Sequence, residues 1–287
     1  EVQTVFADDL NAPYGLAFHE GNLYVANQDA LVRFDYEEGQ TEAGGEPVYT
    51  PDGKSIYYTR NVSPGNTFEY AQDSNGALFA IERYDLESGE TLRVAGGNGG
   101  AVRPTPSPDG KQLAFLWQTN ALVPYSNSKL KILNLAGKAI SDVAADFDRS
   151  IAQPNWLTNT SLVVQFDDRG QRKLASLTTK GKLTELTASL GGVSQPQPYL
   201  SGSYSVSDNG VIAYTHGTSE RPSDVAVLQK GKSRVLTALN EDLLGHKKLA
   251  QVHEIKYKSS FDTEEIQGWY MTPPDFDPAK KYPLLLE

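Results

Sequence analysis

The sequence predicts an all-β protein, a β-propeller of about six (five to seven) four-stranded blades, and three observations predict it. The first is a recurring turn. Pro47-Val-Tyr-Thr-Pro-Asp-Gly-Lys54 leads into Ser55-Ile-Tyr-Tyr-Thr59, and 57 residues later Pro104-Thr-Pro-Ser-Pro-Asp-Gly-Lys111 leads into Gln112-Leu-Ala-Phe-Leu116. In each, Pro enters a turn, Asp-Gly closes it and an apolar strand follows. The second is a further strand at a fixed place in every unit, closed by a Gly-containing turn and followed by a short outer strand. The third is the lack of sustained helical periodicity, the best helical candidate being the short stretch Asn240 to Leu249.

Taken in order, the unit from Thr4 to Gly39 turns at Ala12-Pro-Tyr-Gly15 into Leu16-Ala-Phe18, with hairpin strands at 22–26 and 30–34. The next unit places strands at 55–59, 77–84 and 91–94, with a turn at Ser88-Gly89. Gly96-Gly-Asn-Gly-Gly100 lacks the Gly-Lys-Ser/Thr ending of a phosphate loop and reads as a linker between blades. The third unit has strands at 112–116 and 129–135, closed at Ala136-Gly137. The fourth reads as a turn at Pro154-Asn-Trp-Leu-Thr-Asn159 followed by strands at 161–166, 172–177 and 183–186. The fifth turns at Val206-Ser-Asp-Asn-Gly210 into strands at 211–215, 224–228 and 233–236. From Val252 the rhythm breaks: strands at 252–257 and 266–271 precede Pro273-Pro274, and Tyr282 to Glu287 reads as a parallel-sheet strand cut at its start. Five regular blades and a sixth irregular unit result, with the propeller at 1–250. A ring of blades must close or leave edge strands unpaired, so either the terminal segments share a blade or the ring is open.

Composition narrows the function. The chain has 287 residues, a net charge of −10 and a pI near 5.0, with no clustered Lys or Arg to track a phosphate backbone. Nucleic acid is therefore excluded as a partner, and the short apolar runs exclude a membrane-spanning helix. With no cysteine there are no disulfides, zinc-thiolate sites or Cys nucleophiles. The only Met is Met271, so the chain is expected to begin after a processed leader or at a boundary within a longer sequence. A periplasmic or secreted location is favoured over a cytoplasmic one.

Different segments resemble different families. Val5-Phe-Ala-Asp-Asp-Leu-Asn-Ala-Pro-Tyr-Gly15, with Leu23-Tyr-Val-Ala-Asn27 and Val32-Arg-Phe34, is similar to one blade of the sorbosone-dehydrogenase-type quinoproteins, over residues 4–44. Residues 47–115, through Asn66-Thr-Phe-Glu-Tyr70 and Arg103 to Gly110, resemble TolB-like repeats. From about residue 100 the chain resembles the prolyl-oligopeptidase family of serine peptidases, acylaminoacyl-peptidase-like branch. The stretches Ile212 to Pro222, Tyr257-Lys-Ser-Ser-Phe-Asp262, Ile266-Gln-Gly-Trp269 and Lys281-Tyr-Pro-Leu284 carry that likeness. The picture is a mosaic with seams near residue 45 and residues 100–120. Its readings are a recombined, fragmentary or engineered propeller, or a TolB-like binding scaffold. The peptidase resemblance implies that 251–287 is the linker and first strands of a truncated α/β-hydrolase domain, which would be the chain's missing partner. It also implies a propeller that gates a peptide or protein ligand entering its channel.

The chemistry of a serine hydrolase needs Gly-x-Ser-x-Gly on a strand-to-helix turn, and no such string occurs. Gly202-Ser-Tyr-Ser-Val206 lacks the closing Gly and precedes a turn and strand, so no catalytic residue is assigned. His19, His216, His246 and His253 have no metal-ligand spacing, and no metal or cofactor is expected. One quinoprotein-like blade cannot supply a cofactor site. The substrate-contact candidates are His216, in the loop after a blade strand, and Glu220-Arg221, which precede Pro222. The resemblance implies that a propeller carboxylate such as Glu220 holds a free peptide amino terminus; the alternative is that Glu220 and Arg221 cap a hairpin. The paired acids Asp8-Asp9, Asp167-Asp168 and Glu264-Glu265 point to opposite strand faces and read as solvated turns. Asp73-Ser-Asn-Gly76 and Asp275-Phe-Asp277 complete no calcium loop.

Overall fold

The computed structural model describes residues 15–19, 22–26, 31–35, 48–62, 78–119, 126–192 and 202–285. The chain divides into two compact units, residues 1–166 with 175–185, and residues 167–174 with 186–287. The fold is all-β, as the turn pattern predicts.

The first described sheet has three antiparallel strands, β1 (Gly15–His19), β2 (Asn22–Ala26) and β3 (Leu31–Asp35). A four-stranded meander follows: β4 (Val48–Tyr49), β5 (Ser55–Asn61), β6 (Phe79–Asp85) and β7 (Thr91–Gly96). The second meander is β8 (Gly100–Pro106), β9 (Gln112–Gln118), β10 (Lys129–Asn134) and β11 (Ile140–Val143). A single parallel pairing, Phe79 with Gly100, joins the two. Here the linker reading of Gly96 to Gly100 holds and gains a reason. Gly96 has φ +85°, and a Cβ on it would lie 2.4 Å from the Phe79 carbonyl oxygen. The third meander is β12 (Ala152–Thr158), β13 (Ser161–Asp168), β14 (Gln171–Thr178) and β15 (Leu183–Leu190). The fourth is β16 (Tyr204–Val206), β17 (Ile212–His216), β18 (Asp224–Gln229) and β19 (Lys232–Val235). A one-turn helix α1 (Glu241–Leu244) and a hairpin of β20 (Gln251–Lys258) and β21 (Glu265–Thr272) complete the described elements.

The turns before β5 and β9 share one set of side-chain bonds. The Ser107 hydroxyl donates to the Asp109 carboxylate (2.7 Å) and accepts from the Gln112 amide (3.0 Å), while the Lys111 amide donates to Asp109 (3.1 Å). Thr50, Asp52, Lys54 and Ser55 make the same set, and Ser207 makes a shorter version, donating to Asn209 and accepting from the Val211 amide four residues on. A hydroxyl two residues before Asp or Asn is thus part of the signal, beside the Pro and Gly that the sequence made obvious. In the first two meanders the turn between the third and fourth strands is an Asx turn: Asp85 accepts from the Glu87 and Ser88 amides, Asn134 from those of Ala136 and Gly137.

The core of the first unit explains why its strands read as unbroken apolar runs. On β9, Leu113 and Phe115 join a cluster with Tyr57, Ile81, Ala101 and Leu133. The alternate residues Ala114 and Leu116 join Leu130, Ile132, Leu162, Val164 and Leu177. Both faces of β9 are covered, which is what stacked blades require and what a one-sided sheet does not show.

Four expectations change. Pro154 to Asn159 is not a turn: residues through Thr158 form β12, and the turn is at 159–160. Only residues 241–244 of the helical candidate are helical; the segment buries nothing and Asn240 makes no side-chain cap, so nothing extends it. Residues 282–285 pair with no strand among the described residues: β20 and β21 pair with each other, and Pro273-Pro274 end the hairpin. Asp167 and Asp168 belong to β13, where Arg172 holds the first in a two-pronged pair (2.7 and 2.8 Å) and Lys173 the second (3.2 Å). Asp8-Asp9, Asn66 to Tyr70 and Asp73 to Gly76 lie outside the described residues.

Two strands carry an irregularity that the sequence conceals. The other non-glycine residues with positive φ lie outside the strands, but Arg103 (φ 53°) and Gln153 (φ 44°) lie inside β8 and β12. The pairing register shifts at both places, between Val102 and Thr105 and between Ala152 and Asn155. Each bulge residue precedes a proline, a context that already disfavours anything but extended backbone. Such residues cost on the order of 1–3 kcal/mol, which the surrounding packing must offset.

Candidate functional site

The three candidate residues fall on one connection, between the end of β17 at His216 and the start of β18 at Asp224, which are register partners. The connection is shaped by Thr218. Its hydroxyl accepts from the Glu220 and Arg221 amides (3.2 and 3.1 Å), and its amide donates to the Arg221 carbonyl (3.1 Å). The hairpin is therefore capped by Thr218, which leaves the Glu220 and Arg221 side chains for other work. Arg221 is partly spent: its guanidinium donates to Glu241 on α1 at 2.7 Å. Glu220 is exposed, and its carboxylate has no ion-pair partner among the described residues.

His216 is half-buried. Its Nδ1 lies 2.9 Å from the Ser189 hydroxyl on β15, and its ring meets Tyr214 edge-on at 6.2 Å. The backbones beneath it are drawn together by Gly191 and Gly217, whose amides donate to Thr215 and Ser189 carbonyls at 3.0 Å. A Cβ on Gly191 would lie 2.7 Å from the Gly217 Cα, so the close approach depends on glycine there.

Asp224 is the residue of this region that sequence reasoning missed. Its carboxylate accepts from the Leu239 amide (2.8 Å) and the Thr237 hydroxyl (2.7 Å). Those bonds, the Leu239 amide first, hold its carboxyl below the usual carboxylate range, with smaller help from the charges of His216 and Arg221. Read as a line of residues, Asp224 is only the first residue of a strand. Its partners lie 13 and 15 residues away, so no local pattern marked it. The arrangement offers an anchored anion at Asp224, an available anion at Glu220 and a histidine fixed by a hydroxyl. That set suits a cationic group; it contains no strained nucleophile.

A second polar group sits in the first unit. Glu82 on β6 has a side chain only 4% exposed, and it accepts from the Tyr58 hydroxyl at 2.9 Å. Arg60 (3.4 Å) and Arg93 (3.7 Å) flank it. Burial, and then the bond to Glu82, push the Tyr58 hydroxyl well above its ordinary value. Among the described residues no cluster of His, Asp and Glu could hold a metal. Asp275 is engaged by Lys248 at 2.7 Å, and Asp277 caps the Ala279 amide at 3.0 Å. No helix among the described residues is long and apolar enough to cross a membrane.

No family model matches the chain. By sequence it is similar to dipeptidyl-peptidase 5 of Porphyromonas gingivalis, 26% identical over 244 residues, covering 83% of this chain and 33% of the relative. The chain thus spans about a third of the length of that protein. An aligned span of that size contains residues 100–120 wherever it begins, so one relative runs through the second seam and a chimeric origin gains no support. By structure the chain is similar to the acylaminoacyl peptidase of Pyrococcus horikoshii (TM-score 0.53, 15% identity, 96% of this chain and 52% of that one). It is also similar to the β-propeller domain of the Trilobed protease from Pyrococcus furiosus (TM-score 0.52, 14% identity, 82% of this chain and 70% of that one). The fold is that of a β-propeller, and the resemblance to prolyl-oligopeptidase-type peptidases stands: this is a peptidase-related propeller.

Proposed function

We propose that this chain, whose sequence relatives are dipeptidyl peptidases, is the non-catalytic propeller of such a serine peptidase, admitting peptides by their free amino terminus. The hydrolytic chemistry belongs to an α/β-hydrolase domain, for which 251–287 supplies the linker, and the working compartment is the periplasm or the outside of the cell. The observation that carries this reading is the exposed Glu220 carboxylate, held on a Thr218-capped turn beside the Arg221–Glu241 pair. An ammonium group needs such an acid, and a charge-assisted bond of this kind is worth about 1.5–3 kcal/mol. The peptidase relatives favour this reading over a TolB-like binding scaffold.

The test is fluorescence anisotropy of a labelled hexapeptide with a free amino terminus against its N-acetylated twin. Free-terminus peptide is expected to bind at least about 10-fold tighter, and Glu220→Gln to abolish that preference. A preference unchanged in Glu220→Gln would overturn the assignment of Glu220. Absence of binding by either peptide would overturn the peptide-admitting role.

A further inference from the structure

We infer that Arg103 is a specificity residue that holds an acidic group of a peptide, a carboxylate of a side chain or of the chain end. The inference rests on the proposed peptide-binding role and names a substrate class that this role leaves open.

Three observations carry it. The first strands of the second and third meanders lie side by side: the Trp156 indole donates to the Thr105 carbonyl at 2.8 Å, and the Thr105 hydroxyl to the Pro154 carbonyl at 3.2 Å. Each strand is then broken at the same kind of place, by a left-handed residue before a proline, Arg103-Pro104 and Gln153-Pro154, with a register shift. A bulge re-aims the side chain it carries, and backbone held in a disfavoured region concentrates where ligands bind. Glycine or asparagine is the ordinary occupant of a left-handed position. Two neighbouring strands have instead placed a long hydrogen-bonding side chain there.

Arg103 itself is the third observation. Every other residue of β8 is buried or half-buried, and Arg103 alone is exposed. Its guanidinium has no ion pair among the described residues, although the protein carries a net charge of −10. The other arginines beside carboxylates are engaged: Arg60 and Arg93 with Glu82, Arg172 with Asp167, Arg221 with Glu241. An unspent guanidinium offers a planar fork that matches a carboxylate in two places. Arg103 neither moves a proton nor forms a covalent bond there.

The experiment measures binding of two labelled hexapeptides with free amino termini, one carrying Glu residues and an ordinary chain end, the other Gln residues and an amidated end. The protein is the full chain, as wild type, Arg103→Asn and Arg103→Lys. Asn tolerates the left-handed backbone, so Arg103→Asn is expected to fold with an unchanged or slightly raised melting midpoint. It is expected to weaken the acidic peptide about 10-fold or more and the neutral peptide less than 2-fold. Arg103→Lys keeps the charge without the fork and is expected to fall between. Equal binding of the two peptides, or an acidic preference that survives Arg103→Asn, overturns the inference and leaves the peptide-admitting role standing. If neither peptide binds wild type, both fail.

Discussion

Strand β9 and the β20–β21 hairpin are both rich in apolar and aromatic side chains, yet they bury them differently. On β9, Leu113, Ala114 and Phe115 are all fully buried, successive residues entering opposite clusters. On the hairpin the only buried residue is Thr272. Trp269 is 48% exposed and Tyr257 52%, and the register puts Ile255, Tyr257, Ile266 and Tyr270 on one uncovered face. Strand formation is therefore local, set by β-branched and aromatic content and by the turn that closes each hairpin. Burial is not local. It depends on having a neighbour over each face, which β9 has, whereas the hairpin's Trp269 is met by the turn at Gly170 and still stays half in water.

The largest expected effect tests that contrast directly. Phe115→Ala removes a fully buried ring and is expected to lower the unfolding free energy by about 3–5 kcal/mol. Trp269→Ala removes a larger ring, but one half in water, and is expected to cost less than about 1 kcal/mol. Urea unfolding followed by circular dichroism measures both. A Trp269→Ala loss as large as that of Phe115→Ala would break the comparison.

The same contrast shows what the sequence could reveal. The strands of three of the four meanders were legible because turns at Asp52-Gly53, Asp109-Gly110 and Asn209-Gly210 frame them, and Ile56, Leu113 and Ile212 mark where the strands after the turns lie. Trp156 was misread as part of a turn because Pro154 imitates the Pro of the true turns, and only pairing with β13 makes 152–158 a strand. The Tyr282 strand was expected from an apolar run and a family resemblance, and residues 282–285 have no strand partner among the described residues. For the site, His216, Glu220 and Arg221 were found on one loop, as their closeness in sequence required. Asp224, Ser189 and Glu241 were missed because their roles depend on contacts across 13 to 27 residues. The Arg103 and Gln153 bulges were invisible for another reason: a non-glycine left-handed residue before proline contradicts every local preference.

Tyr58→Phe sharpens the comparison from within the dense region. Glu82 is a buried carboxylate, and Tyr58 is the buried donor that satisfies it. Arg60 and Arg93 are 40% and 50% exposed and sit farther off, so they cannot replace that bond fully. A loss of about 1.5–3 kcal/mol is expected, because the carboxylate stays out of water with one partner fewer. A loss below about 0.5 kcal/mol would mean that polar groups on β6 are no more constrained than those on the hairpin.

The smallest expected difference compares one turn device in both settings. Ser107 closes the turn before β9 and is fully buried, whereas Ser259 closes the β20–β21 hairpin, accepting from the Phe261 and Asp262 amides, and is partly exposed. Ser107→Ala leaves the Gln112 amide without its acceptor and is expected to cost about 1–2 kcal/mol, Ser259→Ala less than about 0.5. Acid separates the two further. The Ser107 hydroxyl, then the Lys111 amide, hold the Asp109 carboxyl below its ordinary value. A carboxyl with a lowered folded pKa adds stability above its unfolded value near 3.8, and that stability is lost as pH falls through the lowered value. Wild type should therefore keep its advantage over Ser107→Ala at neutral pH and lose part of it below about pH 3, where Asp109 is protonated in both. Melting curves of the two proteins from pH 7 down to pH 2.5 read this out. A gap that stays constant across that range would detach Asp109 from the turn and leave the hydroxyl's bond to Gln112 as the whole effect.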